Sequence, residues 1–196
     1  MKRLLFVAFM LFFFWKLTAG KDSVVLGPGI KVEQIPLQTE IKKQAGFLFK
    51  GFRVNPMAEF QLKAKVLSKE DYFLGRESEL SPVDLALGWG QMSDEEVLKS
   101  IDISQSGRWY HWSTRKFPIP RRTIETHSAN MHMIPADDAV ESKINKAKEG
   151  QIIALVGYLV RVDHDDGWHW QSSLTREDSG AGGCEVVFVT DFEIIE

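Results

Sequence analysis

The feature that most constrains this chain is the uninterrupted apolar run over residues 4–15, which follows Lys2 and Arg3 and is closed by Lys16. A segment with no polar face cannot rest on the surface of a water-soluble domain, because burying its side chains is favourable and hydrating them is not. A basic start followed by an apolar core of this length is the pattern of an export signal. Residues 1–20 are therefore expected to be a signal peptide or a signal anchor. Thr18 and Gly20 are small enough for the −3 and −1 positions of a cleavage site after Gly20. The richness in Leu and Phe, with Lys16 able to snorkel to the interface, suits an uncleaved anchor equally well. Lys2 and Arg3 favour a cytoplasmic N-terminus, which puts the remainder outside. An anchored chain would stay on the cytoplasmic membrane, held through residues 4–20, and a cleaved one would be periplasmic.

Residues 21–45 contain Gly27, Pro28, Gly29 and Pro36 among scattered charges, a composition that suits an extended stalk. Residues 46–196 suffice for one hydrophobic core and are expected to form a single extracytoplasmic globular domain. The net charge is −3, and three of the cations, Lys2, Arg3 and Lys16, lie in the export segment, so residues 21–196 carry −6. That excludes a general nucleic-acid binder. Cys184 is the only cysteine, which rules out an intramolecular disulfide.

The domain reads as α+β and mainly β. Aromatic and aliphatic residues over 47–54 and 60–67, separated by Asn55-Pro56, predict a hairpin. Ser93 followed by Asp94, Glu95 and Glu96 predicts a capped short helix with Val97, Leu98 and Ile101 on its apolar face. Asp137 or Asp138 would cap a second helix burying Val140, Ile144 and Ala147, with Gly150 at its C-cap. Three apolar runs, 152–162, 168–176 and 184–195, with turn residues between them, predict an antiparallel meander. A small antiparallel sheet or a partly closed OB-like barrel with one or two short helices accommodates these elements.

Chemistry is sparser. Residues 103–124 hold Arg108, Arg115, Lys116, Arg121 and Arg122 with no acid, interleaved with Trp109, Tyr110, His111, Trp112 and Phe117. Guanidinium groups beside aromatic faces suit phosphate-bearing, glycan or single-stranded polyanionic ligands. Arg108, Trp109, Tyr110, Arg115, Lys116, Arg121 and Arg122, joined by Arg176 from a later polar run, are the candidate ligand-binding residues. His127 and His132 are five apart, which fits neither one face of a helix nor one face of a strand, so neither is read as a metal ligand. No cofactor is expected. Cys184 follows a glycine-rich turn and, with His127 or His132, could act as a nucleophile–base pair. Its strand-like setting, with no helix N-terminus to stabilise a thiolate, favours a plain buried side chain instead.

Three segments resemble those of small bacterial membrane-anchored or exported proteins with no assigned activity: Asp84-Leu85-Ala86-Leu87-Gly88-Trp89-Gly90 through Asp94, residues 127–135, and Ser172-Ser173-Leu174-Thr175-Arg176 through Glu185. The resemblance implies one exported domain and transfers no catalytic residue. Its expected role is a non-enzymatic binding or assembly module of the cell envelope, meeting an envelope protein or an anionic ligand. The alternatives are an envelope hydrolase or transferase using His127, His132 and Cys184, and a structural subunit of a membrane complex.

Overall fold

A computed structural model describes residues 23–42, 44–175 and 184–196. The expected export segment, Arg176 and the glycine-rich stretch 178–183 lie outside the described residues. The chain runs β1 (Leu37–Glu40), β2 (Phe47–Phe49), β3 (Phe52–Asp71), α1 (Arg76–Leu80), β4 (Val83–Gly88), a 3-10 turn (Gly90–Ser93), α2 (Glu95–Leu98), β5 (Asp102–Ser106), β6 (Trp109–Ser113), α3 (Arg121–Thr126), β7 (Ser128–Pro135), α4 (Asp138–Lys146), β8 (Ile152–Asp163), β9 (His169–Gln171) and β10 (Glu185–Ile194). The fold is mainly β and largely antiparallel, with four short helices and a ring of hydrogen bonds through five strands that is partly closed but not a barrel.

That ring runs β3–β4–β7–β10–β8 and returns to β3. Strand β3 is its spine. It does not turn at Asn55-Pro56 as the sequence suggested. Its pairing with β8 shifts between Pro56 and Ala58, a bulge that tolerates a residue with no N–H to give. The hairpin turn lies earlier, at Lys50-Gly51, where both φ angles are positive (49° and 85°) as a two-residue type I′ turn requires.

Strand β8 gives its two faces to two different cores. Ile153, Leu155 and Leu159 join a cluster inside the ring with Phe60, Leu85, Met131 and Val187, while Val160 and Val162 join a second cluster with Phe52, Val54 and Phe188. A strand buried on both faces reads as a continuous apolar run. The expected meander is only partly formed. Strand β3 lines one edge of β8 along residues 152–163, so β10 (opposite 153–159) and β9 (opposite 161–163) follow one another along the other edge. The far side of β10 then pairs parallel with β7.

Both anticipated helices form. Asp137 caps α4 by accepting from the Val140 N–H, and Val140, Ile144 and Ala147 are buried. The chain leaves α4 at Ala147, so Gly150 is not its C-cap. Gly150 instead has φ +87° in the following turn, where a Cβ would come within 1.8 Å of the Val24 carbonyl oxygen. For α2 the cap is Asp94, one residue later than expected, accepting from the Glu96 N–H. The Ser93 hydroxyl accepts from the backbone N–H groups of Lys31 and Val32.

Those last bonds correct the reading of a stalk. Residues 23–42 are a strap laid on the domain, with Val32 buried in the ring cluster and β1 paired to β3. Glu95 holds the strap down, accepting from Leu26 N–H (2.6 Å), Gly27 N–H (3.2 Å) and the buried Lys65 ammonium (2.9 Å). Burial alone would raise this carboxyl, but Lys65 and the two amides outweigh it and hold it below its ordinary value. Glu95→Gln should cost about 1.5–3 kcal/mol at neutral pH, read from the urea midpoint. Because the folded value is the lower one, the contribution is complete above about pH 4.3 and is lost as pH falls through the folded value. Wild type and Glu95→Gln should therefore converge in acid. A gap that persists undiminished at about pH 2 would sink this account.

Candidate functional site

The wall formed by β4, β7 and β10 is buried on both faces, and its outer face, apolar at Ile134, Val186 and Phe188, carries buried polar side chains beside them. On β7, Ala129, Met131 and Met133 point into the ring cluster, so alternation turns Ser128, Asn130 and His132 outward. On β4 the outward positions are Asp84 and Ala86. Register sets Asp84 directly opposite His132, and Val186 of β10 on the other flank of His132. Cys184, two residues before Val186, therefore shares the outward face with Asn130 and His132.

The hairpin of β5 and β6 covers this face. Its turn, Gly107-Arg108, has φ angles of 57° and 71° and joins the paired residues Ser106 and Trp109. A non-glycine residue at positive φ is strained by about 1–3 kcal/mol and persists only where its surroundings hold it. Here the Arg108 N–H donates to the Tyr72 hydroxyl (2.8 Å), its carbonyl accepts from Asn130 Nδ2 (3.1 Å), and its guanidinium lies over the Tyr72 ring at 3.8 Å. Arg108 Nη1 donates to Asp84 Oδ1 at 2.7 Å, and Asp84 is fully buried. The other Asp84 oxygen is 2.9 Å from His132 Nδ1, at an angle too bent for a full hydrogen bond. Trp170 of β9 packs on the imidazole, ring centres 4.6 Å apart. Gln105 Nε2 donates to Asn130 Oδ1 (2.6 Å), and Asn130 Nδ2 approaches Cys184 Sγ at 3.9 Å.

Two cavities open on this layer. One, of about 250 Å³, is lined by Arg108, His132, Trp170, Gln171 and Cys184. The other, of about 620 Å³, runs between the hairpin and α3 and is walled by Trp109, Tyr110, Trp112 and Phe117, with Arg121 and Glu125 at its rim. Trp109 and Cys184 line both. In the larger cleft Tyr110 donates to Ser128 Oγ (3.1 Å), and burial pushes its phenol up to about 12 against that hydrogen bond.

Comparison adds no relative. No family model, curated protein or solved structure matches this chain. The site therefore rests on its own geometry.

Of the expected ligand-binding residues, the structure gathers the aromatic ones and separates the basic ones. Arg108 is drawn inward to Asp84. Arg121 is paired with Glu125 (2.8 Å) and stands over Trp112 at 5.9 Å. Arg115 and Lys116 are exposed on the loop after β6, Arg122 is exposed on α3, and Arg176 lies outside the described residues. The histidines are not together. His127 closes α3, its Nδ1 3.1 Å from the Thr123 carbonyl oxygen, while His132 faces Asp84 and shares the smaller cavity with Cys184. Among the described residues no group of three or more His, Cys, Asp or Glu side chains could hold a metal ion.

The sequence reading missed Asp84, Asn130 and Trp170 as site residues. Asp84 carried a signal all the same. It stands alone among Val83, Leu85, Ala86 and Leu87, and a carboxylate inside an apolar strand must either be paired or serve chemistry.

Proposed function

We propose that this chain is an exported, membrane-associated binding domain of the cell envelope, and that its ligand is a saccharide held in the aromatic cleft. The observation that supports this best is the wall itself. Trp109 is 43% exposed and Phe117 50% exposed, on a cleft of about 620 Å³. Apolar rings left uncovered beside a few convergent polar groups are the usual make-up of a ligand site. His111 and Ser113, also on the lining, carry donors and acceptors suited to hydroxyl groups. Arg121, the arginine on the cleft's lining, is already paired with Glu125, which favours a polyhydroxylated ligand over a polyanion.

The test is titration of the full-length protein in detergent with a soluble N-acetylglucosamine oligomer and, separately, with inorganic polyphosphate, followed by tryptophan fluorescence. Saccharide binding is expected, and Trp109→Ala should weaken it at least tenfold, as loss of a well-covered aromatic anchor does. Polyphosphate binding without saccharide binding would replace this reading with the anionic-ligand one.

A further inference from the structure

We infer that Cys184, His132 and Asp84 form a thiol acyl-transfer centre at the junction of the two cavities, with Cys184 as nucleophile, His132 as base and Asp84 as positioning residue. Three independent features converge on it. First, β7 and β10 pair in parallel with Val186 opposite His132, so Cys184 is a diagonal neighbour of His132 on the same face. Diagonal neighbours on adjoining strands lie roughly 7–8 Å apart, a gap that an imidazole can span. Second, the His132 Nδ1 edge is turned to Asp84 at 2.9 Å, which leaves Nε2 as the nitrogen available for proton transfer. Third, Cys184 lines the small cavity together with His132 and lines the aromatic cleft as well, so a ligand in the cleft can present a group to the thiol.

The surrounding side chains fit the same chemistry. Asn130, fixed by Gln105 and by the Arg108 carbonyl, directs an amide N–H toward the sulfur and favours the thiolate. Arg108 lines the same cavity, and its guanidinium, held there by Asp84, supplies the positive charge that would offset an oxyanion.

The step is acyl transfer from an ester or amide. His132 Nε2 takes the Sγ proton and the thiolate adds to the acyl carbon, forming C–S. The tetrahedral oxyanion then collapses, breaking the C–O or C–N bond, and the leaving group departs with the proton from His132. Water, deprotonated by His132, attacks the thioester, breaks C–S, and releases a carboxylic acid with the thiol restored. An acylated saccharide as natural substrate rests on the reading of the cleft, whereas the thiol chemistry does not.

The probe is p-nitrophenyl acetate, applied to the full-length protein in detergent. Wild type should give a burst of p-nitrophenolate and an acetyl adduct on the peptide containing Cys184, formed at least tenfold faster than on the urea-unfolded chain. Cys184→Ser should give no burst. His132→Gln should slow acylation about a hundredfold, the lower end of a general base's usual contribution, with circular dichroism unchanged. Asp84→Asn should slow acylation and move the midpoint of its pH profile, because an amide no longer stabilises the imidazolium. An unmoved midpoint would remove Asp84 from the centre. Acylation no faster than in the unfolded chain, or unaffected by His132→Gln, would overturn the proposal. Saccharide titration of Cys184→Ser, which keeps the aromatic wall, reports on the cleft separately.

Discussion

Replacing Arg108 with alanine should destabilise the domain by about 3–5 kcal/mol, the usual cost of removing one partner of a buried ion pair. The reason is asymmetry. Asp84 is fully buried on β4, and Arg108 reaches it from the turn of the covering hairpin with its own side chain only 18% exposed. With the guanidinium gone, the carboxylate keeps the bent contact to His132 and a long Ser81 hydroxyl contact at 3.4 Å. The Tyr72 and Trp170 rings also lose the cation that lies over them. The urea midpoint measures the loss. Replacing both charges with apolar side chains of similar reach, Arg108→Met with Asp84→Leu, should recover much of it, because the desolvation cost leaves with the charges. A single-variant loss below about 1 kcal/mol would mean that the pair behaves as a screened surface contact.

The same pair shows what could be read from the sequence and what could not. Strand character was legible wherever a strand is apolar on both faces, as in β8 and β10, and α4 was legible from its cap and its spacing. Pairing was not, because local spacing carries no information about a partner far along the chain. Strand β10 looked like the last arm of a meander, yet one of its edges belongs to β7, with Glu185 opposite Met131. Asn55-Pro56 carries stronger turn chemistry than Lys50-Gly51, but the ladder absorbs the proline at a bulge while Lys50 accepts a positive φ. The strap looked like a tether because its composition is loose. Its order comes from Glu95, which captures Leu26 and Gly27 from 69 and 68 residues away.

For the site, composition drew attention to the β5–β6 hairpin but did not show where its arginines pair. The stretch 103–124 has no acid of its own, so its arginines looked available. The acids that pair with two of them arrive from elsewhere, Asp84 across the fold and Glu125 one helical turn beyond Arg121. His132 was legible as a candidate, but its partner depends on the β4–β7 register, and Cys184 is brought to it only by the parallel β7–β10 pairing. The constellation is therefore a product of topology.

Export should be abolished by Phe9→Asp, Leu11→Asp and Phe13→Asp made together. Each charge near the centre of an inserting segment costs about 2.5–3.5 kcal/mol, and the three costs fall on one apolar run with little else to hold it in the bilayer. The expectation concerns residues 4–15 as a sequence. Among the described residues, no helix is long and apolar enough to cross a membrane. A C-terminal fusion to a reporter active only outside the cytoplasm should be active on the wild-type chain and silent on the triple variant. Activity confined to the cytoplasm for the wild type would overturn the proposed orientation and, with it, the envelope setting of the cleft. Where the wild type is exported, its mass separates the two forms left open by Thr18 and Gly20. A product beginning at Lys21 is the cleaved form, in which the strap begins two residues after the new terminus. A full-length product needing detergent is the anchored form, and there the same strap would hold the domain close against the bilayer.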